Sequence, residues 1–174
     1  SVVFGDVDND GALDLLVVGS DGSIPTATLY LNDGAGNFSP AGVGIGGVTN
    51  SSADMGDVDN DGDLDLVLTG MTSDNLRTTM LYINQGGGDF IQSDVQLRGV
   101  SAGTSTFGDV DNDGDLDLLV TGRSVEDSYS TTLYKNDGSG NFTVAETDLP
   151  AVARGSADFG DVDADGDLDL VLTG

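Results

Sequence analysis

Four clusters of aspartates recur along the chain, at a spacing that can bind a hard metal ion. In the first, Asp6, Asp8 and Asp10 alternate over five residues, Gly11 follows, and a fourth carboxylate comes at Asp14. Carboxylates packed this closely repel one another unless a cation lies among them. Calcium, which takes about six to eight oxygen ligands, suits such a set. The pattern predicts a calcium loop of the form D-x-D-x-D-G-x-x-D.

Each position of the loop has an expected role. Carboxylates at positions 1, 3 and 5 bind the ion, the backbone carbonyl of position 7 joins them, and the carboxylate at position 9 closes the site. Glycine at position 6 supplies a conformation that a residue with a Cβ resists. The predicted ligands of the four Asp loops (residues 6–14, 57–65, 109–117 and 161–169) are Asp6, Asp8, Asp10, Ala12 and Asp14; Asp57, Asp59, Asp61, Asp63 and Asp65; Asp109, Asp111, Asp113, Asp115 and Asp117; and Asp161, Asp163, Asp165, Asp167 and Asp169.

Other cation sites fit the pattern less well. An EF-hand needs a bidentate Glu at loop position 12 and flanking helices, but position 12 here is Val17, inside an apolar run. Magnesium tends to keep its waters, and zinc prefers His and Cys, which the chain lacks. Solvated acidic turns would not keep one spacing four times. We therefore expect calcium in a structural role, where it pins the loop and offsets its charge.

Composition excludes several functional classes. A net charge of −26, from 31 acidic and 5 basic residues, argues against binding nucleic acid or an anionic membrane surface. No apolar stretch is long enough to insert into a bilayer. The chain has no His and no Cys, and no activated serine arrangement is visible. Metal binding explains the carboxylates better than acid–base chemistry does, so we predict that the protein is not an enzyme.

The Asp loops belong to a longer repeat. The block Phe4–Gly11 returns with offsets of 51, 52 and 52 residues, and a second block, Leu29–Phe38, returns twice in step. The boundaries predict repeats at 1–51, 52–103 and 104–155 and a partial repeat at 156–174. Each repeat is predicted to form four short antiparallel strands, A to D, with the Asp loop between A and B. Such a unit every ~50 residues is typical of a β-propeller blade, so the predicted fold is all-β, with about three and a half blades.

The predicted strands follow the apolar runs between turn signals. Strand B is apolar at nearly every position, as expected when both faces of a sheet are covered. Strand A is predicted at Val2–Gly5, Ala53–Gly56, Ser105–Gly108 and Ala157–Gly160, strand B at Leu13–Val18, Leu64–Thr69, Leu116–Thr121 and Leu168–Thr173, strand C at Thr28–Asn32 and its equivalents, and strand D from Phe38, Phe90 and Phe142.

The two repeated blocks resemble the signature segments of the FG-GAP/VCBS repeat family, and the resemblance covers essentially the whole chain. Integrin α-subunit propellers share this repeat and its calcium loop. The resemblance implies a propeller, often seven-bladed, in a secreted or cell-surface protein, with ligands on the face away from calcium. Three and a half blades do not close such a ring. We therefore expect an excised fragment rather than a natural half-propeller, and self-association into a ring stays an alternative.

A recognition surface is expected opposite the Asp loops. The A–B and C–D segments are nearly identical among the repeats, whereas the B–C and D–A segments vary, and in an up-and-down sheet these two groups lie at opposite edges. We call the second edge the variable face. The arginines predicted there, as contacts to an acidic or hydroxyl-rich partner, are Arg77, Arg98, Arg123 and Arg154. Free drift of loops away from the metal, with arginine kept from calcium by repulsion, explains the same pattern.

The predicted function is a non-catalytic module for protein or glycan recognition, as in cell adhesion, on an extracellular or cell-surface protein. The alternative is a purely structural scaffold or spacer within a larger propeller. Tyr30, Tyr82 and Tyr134 recur on strand C and are predicted to pack between blades rather than to stack on sugars.

Overall fold

The computed structural model describes all 174 residues and consists of β-strands joined by turns and loops. Three antiparallel blades follow one another along the chain, and a two-stranded hairpin ends it. The first blade is a four-stranded sheet, and the second and third are hydrogen-bonded into one sheet of nine strands. This confirms the predicted all-β class and the arrangement in propeller blades. No segment forms a helix that is long and apolar enough to cross a membrane.

Strands A to D of each blade pair in chain order. The first blade contains β1 (Val2–Gly5), β2 (Asp14–Ser20), β3 (Pro25–Asn32) and β4 (Phe38–Pro40); the second contains β5 (Thr49–Gly56), β6 (Asp65–Met71), β7 (Arg77–Asn84) and β8 (Phe90–Gln92); the third contains β9 (Val100–Ser101), β10 (Ser105–Gly108), β11 (Asp117–Ser124), β12 (Tyr129–Asn136) and β13 (Phe142–Val144); the hairpin contains β14 (Ala157–Gly160) and β15 (Asp169–Leu172).

The observed strands are longer than predicted on the side of the variable face. In the second blade, strand A begins at Thr49, so the predicted repeat boundary at 51/52 falls inside β5. A β-bulge between Thr49 and Ser52 keeps this polar start on its partner strand. In the third blade the same stretch breaks into β9 and β10, and Val100 of β9 also pairs with Thr78 of β7. The sequence did not predict these strand starts because most of their residues are polar. Strand pairing depends on backbone hydrogen bonds, which do not require apolar side chains.

Neighbouring blades stack through their inner strands, with β1 against β5, β5 against β10, and β10 against β14. The stacking decides how much of strand B is buried. The first six residues of β6 and of β11 are all buried, whereas β2 alternates and leaves Val17 39% exposed. The reason is that the second and third blades are covered on both faces, while the first has a neighbour on one face only.

Two hydrophobic cores fill the seams between complete blades. The first joins residues such as Leu16, Leu29 and Leu66 between the first two blades, and the second joins Val67 and Leu118 between the second and third. Each core therefore belongs to a pair of blades, so each blade buries its apolar face against a neighbour. The antiparallel order places all four Asp loops at one edge of the blades and the B–C and D–A segments at the other.

Candidate functional site

Each Asp loop is folded by its own side chains. The carboxylate at position 1 accepts two backbone amides: in the first loop, Asp10 N lies 3.1 Å from Asp6 Oδ1 and Gly11 N lies 2.9 Å from Asp6 Oδ2. Gly11 has a φ of 89°, in the region that favours glycine. The same pair of hydrogen bonds recurs in the other three loops, at Asp57, Asp109 and Asp161.

Three carboxylates converge in every loop, with one oxygen of each within 4.8 Å of the others. In the second loop, Asp59 Oδ1 is buried and has no hydrogen-bond partner. An all-oxygen donor set with a buried, unpartnered carboxylate oxygen fits a hard cation such as calcium. The converging groups are Asp6, Asp8 and Asp10; Asp57, Asp59 and Asp61; Asp109, Asp111 and Asp117; and Asp161, Asp163 and Asp169.

The electrostatics of the first two loops also suit a cation. Burial raises the pKa of Asp8, and the negative charges of Asp14 and Asp10 raise it further. Burial likewise raises the pKa of Asp59, with the charge of Asp61 adding to the effect. These groups resist ionisation as long as only other carboxylates surround them. A divalent ion would reverse the local field and favour the charged forms.

The carboxylate at position 9 has a structural role that the sequence did not reveal. Asp65 is fully buried, and its two oxygens accept the backbone amides of Val58 at 2.9 Å and Asn84 at 2.9 Å. It therefore ties the Asp loop to the end of strand C, and burial raises its pKa to about 6. Asp14 and Asp117 make the equivalent clamps, whereas Asp169 accepts only the Val162 amide because the hairpin has no strand C.

Side chains at loop position 7 link one blade to the next. Asn9 Nδ2 donates to Asp63 Oδ1 at 2.6 Å, and Asn60 Nδ2 donates to Asp115 Oδ1 at 2.8 Å. Asn112 makes the same bond to Asp167. At position 7 the sequence predicted a role only for the backbone carbonyl, so these Asn–Asp side-chain contacts were not predicted. Asn at position 4 and Asp at position 7 recur in register, and that was the available signal.

The third loop holds a cation of its own. Lys135 Nζ lies 2.8 Å from Asp111 Oδ2 and 2.8 Å from Asp117 Oδ2. The hydrogen bond from Lys135 lowers the pKa of Asp111, in contrast to the raised values of Asp8 and Asp59. The pKa of Lys135 itself is raised, because its hydrogen bonds to the two carboxylates outweigh the burial that would lower it.

On the variable face, acidic neighbours already engage three of the four predicted arginines. Arg77 Nη2 lies 2.8 Å from Asp127 Oδ1, and Arg123 pairs with the other oxygen of Asp127. Arg98 Nη2 lies 3.1 Å from Glu126 Oε2. The hydrogen bond from Arg123 lowers the pKa of Asp127. Hydrogen bonds from Ser124, which has the larger effect, and from Arg98 lower the pKa of Glu126 to about 2. Arg154 has no ion-pair partner.

Three of these arginines surround a cavity of about 160 Å³ between the second and third blades; Arg98 lies apart from it, in a separate groove. Arg77, Arg123 and Arg154 line the cavity together with Tyr129, which is 59% exposed. The Nε atoms of Arg77 and Arg123 are buried without an acceptor. The cavity thus combines the positive charge of three guanidinium groups with one accessible aromatic ring.

Backbone contacts between blades build one wall of this cavity. Asn50, Ala102 and Arg154 take equivalent positions in successive repeats, and all three adopt positive φ. Ala102 N donates to Asn50 O at 2.9 Å, and Arg154 N donates to Ala102 O at 2.6 Å. Arg154 is therefore positioned by the stacking of three repeats, which no single repeat specifies.

The recurring tyrosines pack between blades, as predicted. Tyr82 and Tyr134 are buried, and their hydroxyls accept the amides of Gly46 and Arg98 in the linker from the preceding blade, at 2.9 Å and 2.8 Å. Tyr30 has no preceding blade and is less buried. These rings therefore hold the seams together.

Comparisons with known proteins agree with this architecture. The chain is similar in structure to a fucose lectin from Kordia zhangzhouensis solved in complex with methyl-fucoside, with a TM-score of 0.53 and 12% sequence identity over 84% of this chain and 99% of the lectin. At that identity the likeness shows the fold alone. No curated protein sequence matches the chain.

The sequence profile of the FG-GAP-like repeat matches three overlapping segments, residues 6–68, 57–120 and 109–172. Each match runs from one Asp loop through strands B to D and into the strand B that follows the next loop. Together the matches span nearly the whole chain, with the two signature blocks in every copy. The chain belongs to the FG-GAP-like repeat family.

Proposed function

We propose that this chain is a calcium-binding recognition module of a secreted or cell-surface protein, that it is not catalytic, and that its ligand is a glycan. Calcium would be held at the Asp loops by the carboxylates at positions 1, 3 and 5, with the carbonyl of position 7 and the carboxylate of position 9. There it would offset a net charge of −26 and stiffen the connection between strands A and B. Weak affinity, on the order of 10⁻⁴–10⁻³ M, would suffice outside a cell.

The observation that carries the glycan proposal is the cavity lined by Arg77, Arg123, Arg154 and Tyr129. Its volume of about 160 Å³ is smaller than the ~300–1,000 Å³ typical of pockets for drug-sized molecules. It therefore suits one sugar ring rather than an extended chain. Guanidinium N–H groups can donate to sugar hydroxyls, and a tyrosine ring can cover an apolar sugar face.

The internal ion pairs favour a hydroxyl-rich ligand over an acidic one. An acidic ligand would have to displace Asp127 from Arg77 and Arg123. A sugar hydroxyl can accept a hydrogen bond from a guanidinium group and donate one to a carboxylate, so it need not break these ion pairs. The bound methyl-fucoside of the lectin with a similar fold is a further reason to begin with glycans.

The alternative function is a structural scaffold within a larger propeller. The same ion pairs support it, because Arg77 joins the second blade to Asp127 of the third and thereby closes a seam. In that case the arginines would stabilise the arc and bind no ligand.

A binding experiment separates the two functions. The labelled chain is applied to a glycan array in calcium, and hits, together with methyl-fucoside, are measured by calorimetry. We expect Arg154→Gln and Tyr129→Ala to weaken binding by about tenfold or more, which corresponds to about 1.4 kcal/mol. Arg98→Gln is the matched control, since it removes the same charge from the same face outside the cavity.

Binding that persists unchanged in Arg77→Gln, Arg123→Gln and Arg154→Gln would exclude the cavity as the site. An array with no hits, combined with loss of stability in Arg77→Gln, would favour the scaffold.

A further inference from the structure

The third Asp loop contacts an ammonium group, which none of the other three loops does. Lys135 Nζ contacts Asp111 at loop position 3 and Asp117 at position 9, each at 2.8 Å. Asp117 is fully buried, and its other oxygen accepts the amide of Asn136, the residue after Lys135. The clamp that joins strand C to the loop therefore also brings the lysine to the carboxylates.

The equivalent residues in the first two blades carry no charge. Leu31 and Ile83 occupy the position of Lys135 on strand C. Ile83 lies beside Gly140 in the C–D turn of the following blade. In the second loop, Asp59 at position 3 keeps a buried oxygen without a partner, whereas Asp111 at the same position has the ammonium group.

We propose that the ammonium group of Lys135 serves as a permanent cation in the third Asp loop. This loop therefore keeps its conformation without calcium and binds calcium more weakly than the second loop. This inference rests on the proposal that the Asp loops bind calcium. An ammonium group offers one positive charge and three donors on a flexible stem, enough to satisfy two carboxylates. A calcium ion must then either displace the ammonium group or bind next to its positive charge, and either one lowers the affinity for calcium.

The glycine at position 6 gives a separate reporter for each loop. Its amide donates to the carboxylate at position 1: Gly62 N lies 3.0 Å from Asp57 Oδ2, and Gly114 N lies 3.0 Å from Asp109 Oδ2. Calcium bound to that carboxylate will change the amide chemical shift. Titration of the ¹⁵N-labelled full chain with calcium chloride therefore measures each loop on its own.

We expect the calcium midpoint at Gly114 to be at least about tenfold higher than that at Gly62. In Lys135→Ile, which installs the residue of the second blade, the Gly114 midpoint should fall to that of Gly62. In the converse variant, Ile83→Lys, the Gly62 midpoint should rise about tenfold. Arg98→Gln removes one positive charge at the opposite face and should leave both midpoints unchanged.

The possible outcomes separate this inference from the proposal beneath it. Equal midpoints at Gly62 and Gly114 that neither variant changes would overturn the role of Lys135 and leave calcium binding intact. Glycine amides that stay unmoved at millimolar calcium would overturn calcium binding itself. If Lys135→Ile does not fold without calcium, Ile83→Lys still decides the question, because that variant adds a cation to a loop.

Discussion

The second and third Asp loops have the same sequence from position 1 to position 9, D-V-D-N-D-G-D-L-D, yet they are different sites. In the second, a carboxylate oxygen of Asp59 is buried without a partner, and burial raises the pKa of Asp65 to about 6. In the third, Lys135 forms ion pairs with the corresponding carboxylates. The difference arises from a residue on strand C, about 20 positions away, so a perfect motif does not guarantee an identical site.

Removal of calcium should have the largest effect on stability and should directly reveal the difference between the second and third Asp loops. A ligand at 100 times its dissociation constant stabilises the native state by about 2.7 kcal/mol per site, so chelation should lower the melting temperature markedly. Hydrogen exchange with and without chelator should show lost protection at Gly62 and retained protection at Gly114. Equal loss at both glycines would contradict the distinction between the two loops.

Truncation of the position 9 clamps should have the next largest effect. Asp65→Ala and Asp117→Ala each leave two buried backbone amides without an acceptor, at a cost of about 2–4 kcal/mol in the free energy of unfolding. In chelator we expect Asp117→Ala to cost more, by about 1 kcal/mol, because it also removes a carboxylate from Lys135. Urea unfolding in chelator measures both. A larger loss in Asp65→Ala would reverse the proposed order of the two loops.

Asp169→Ala is the matched control for these clamps, since Asp169 accepts one amide and is more exposed. It should cost less than either of the other variants.

The smallest expected effect is a pH dependence that comes from the second loop. The native pKa of Asp65, about 6, exceeds its usual value of 3.8, so the native state binds more protons between these values. This contribution to stability is complete below pH 3.8 and is lost as the pH rises through about 6. In chelator, acidification from about pH 7 to about pH 5 should therefore raise the free energy of unfolding by about 1 kcal/mol.

Asp111 of the third loop has a lowered pKa, so it should not contribute to this dependence. Asp65→Asn should flatten the dependence. Saturating calcium should reverse its sign, because the bound ion requires ionised carboxylates. If the pH dependence of the free energy of unfolding persists in Asp65→Asn, it arises from other acidic residues. Asp54 is one such residue, because burial also raises its pKa.

Much of the architecture followed from the sequence alone, for a local reason. Strand periodicity, turn glycines and the spacing of aspartates act within about ten residues, so the repeat and the four strands could be predicted. The carboxylates that converge are those at positions 1, 3 and 5 in the first two loops and those at positions 1, 3 and 9 in the third and fourth, a difference that the spacing did not predict. The opposite placement of the Asp loops and the arginines also followed, since an antiparallel meander allows only two edges.

The tertiary structure decided the contacts between repeats, which depend on how one blade is placed on the next. Asn9 meets Asp63, Arg77 meets Asp127, and Arg154 reaches a cavity that three repeats build together. Lys135 was visible as the one charged residue at an otherwise apolar strand position. Its partners were not, because a long side chain can reach several neighbours and only the packed blade selects among them.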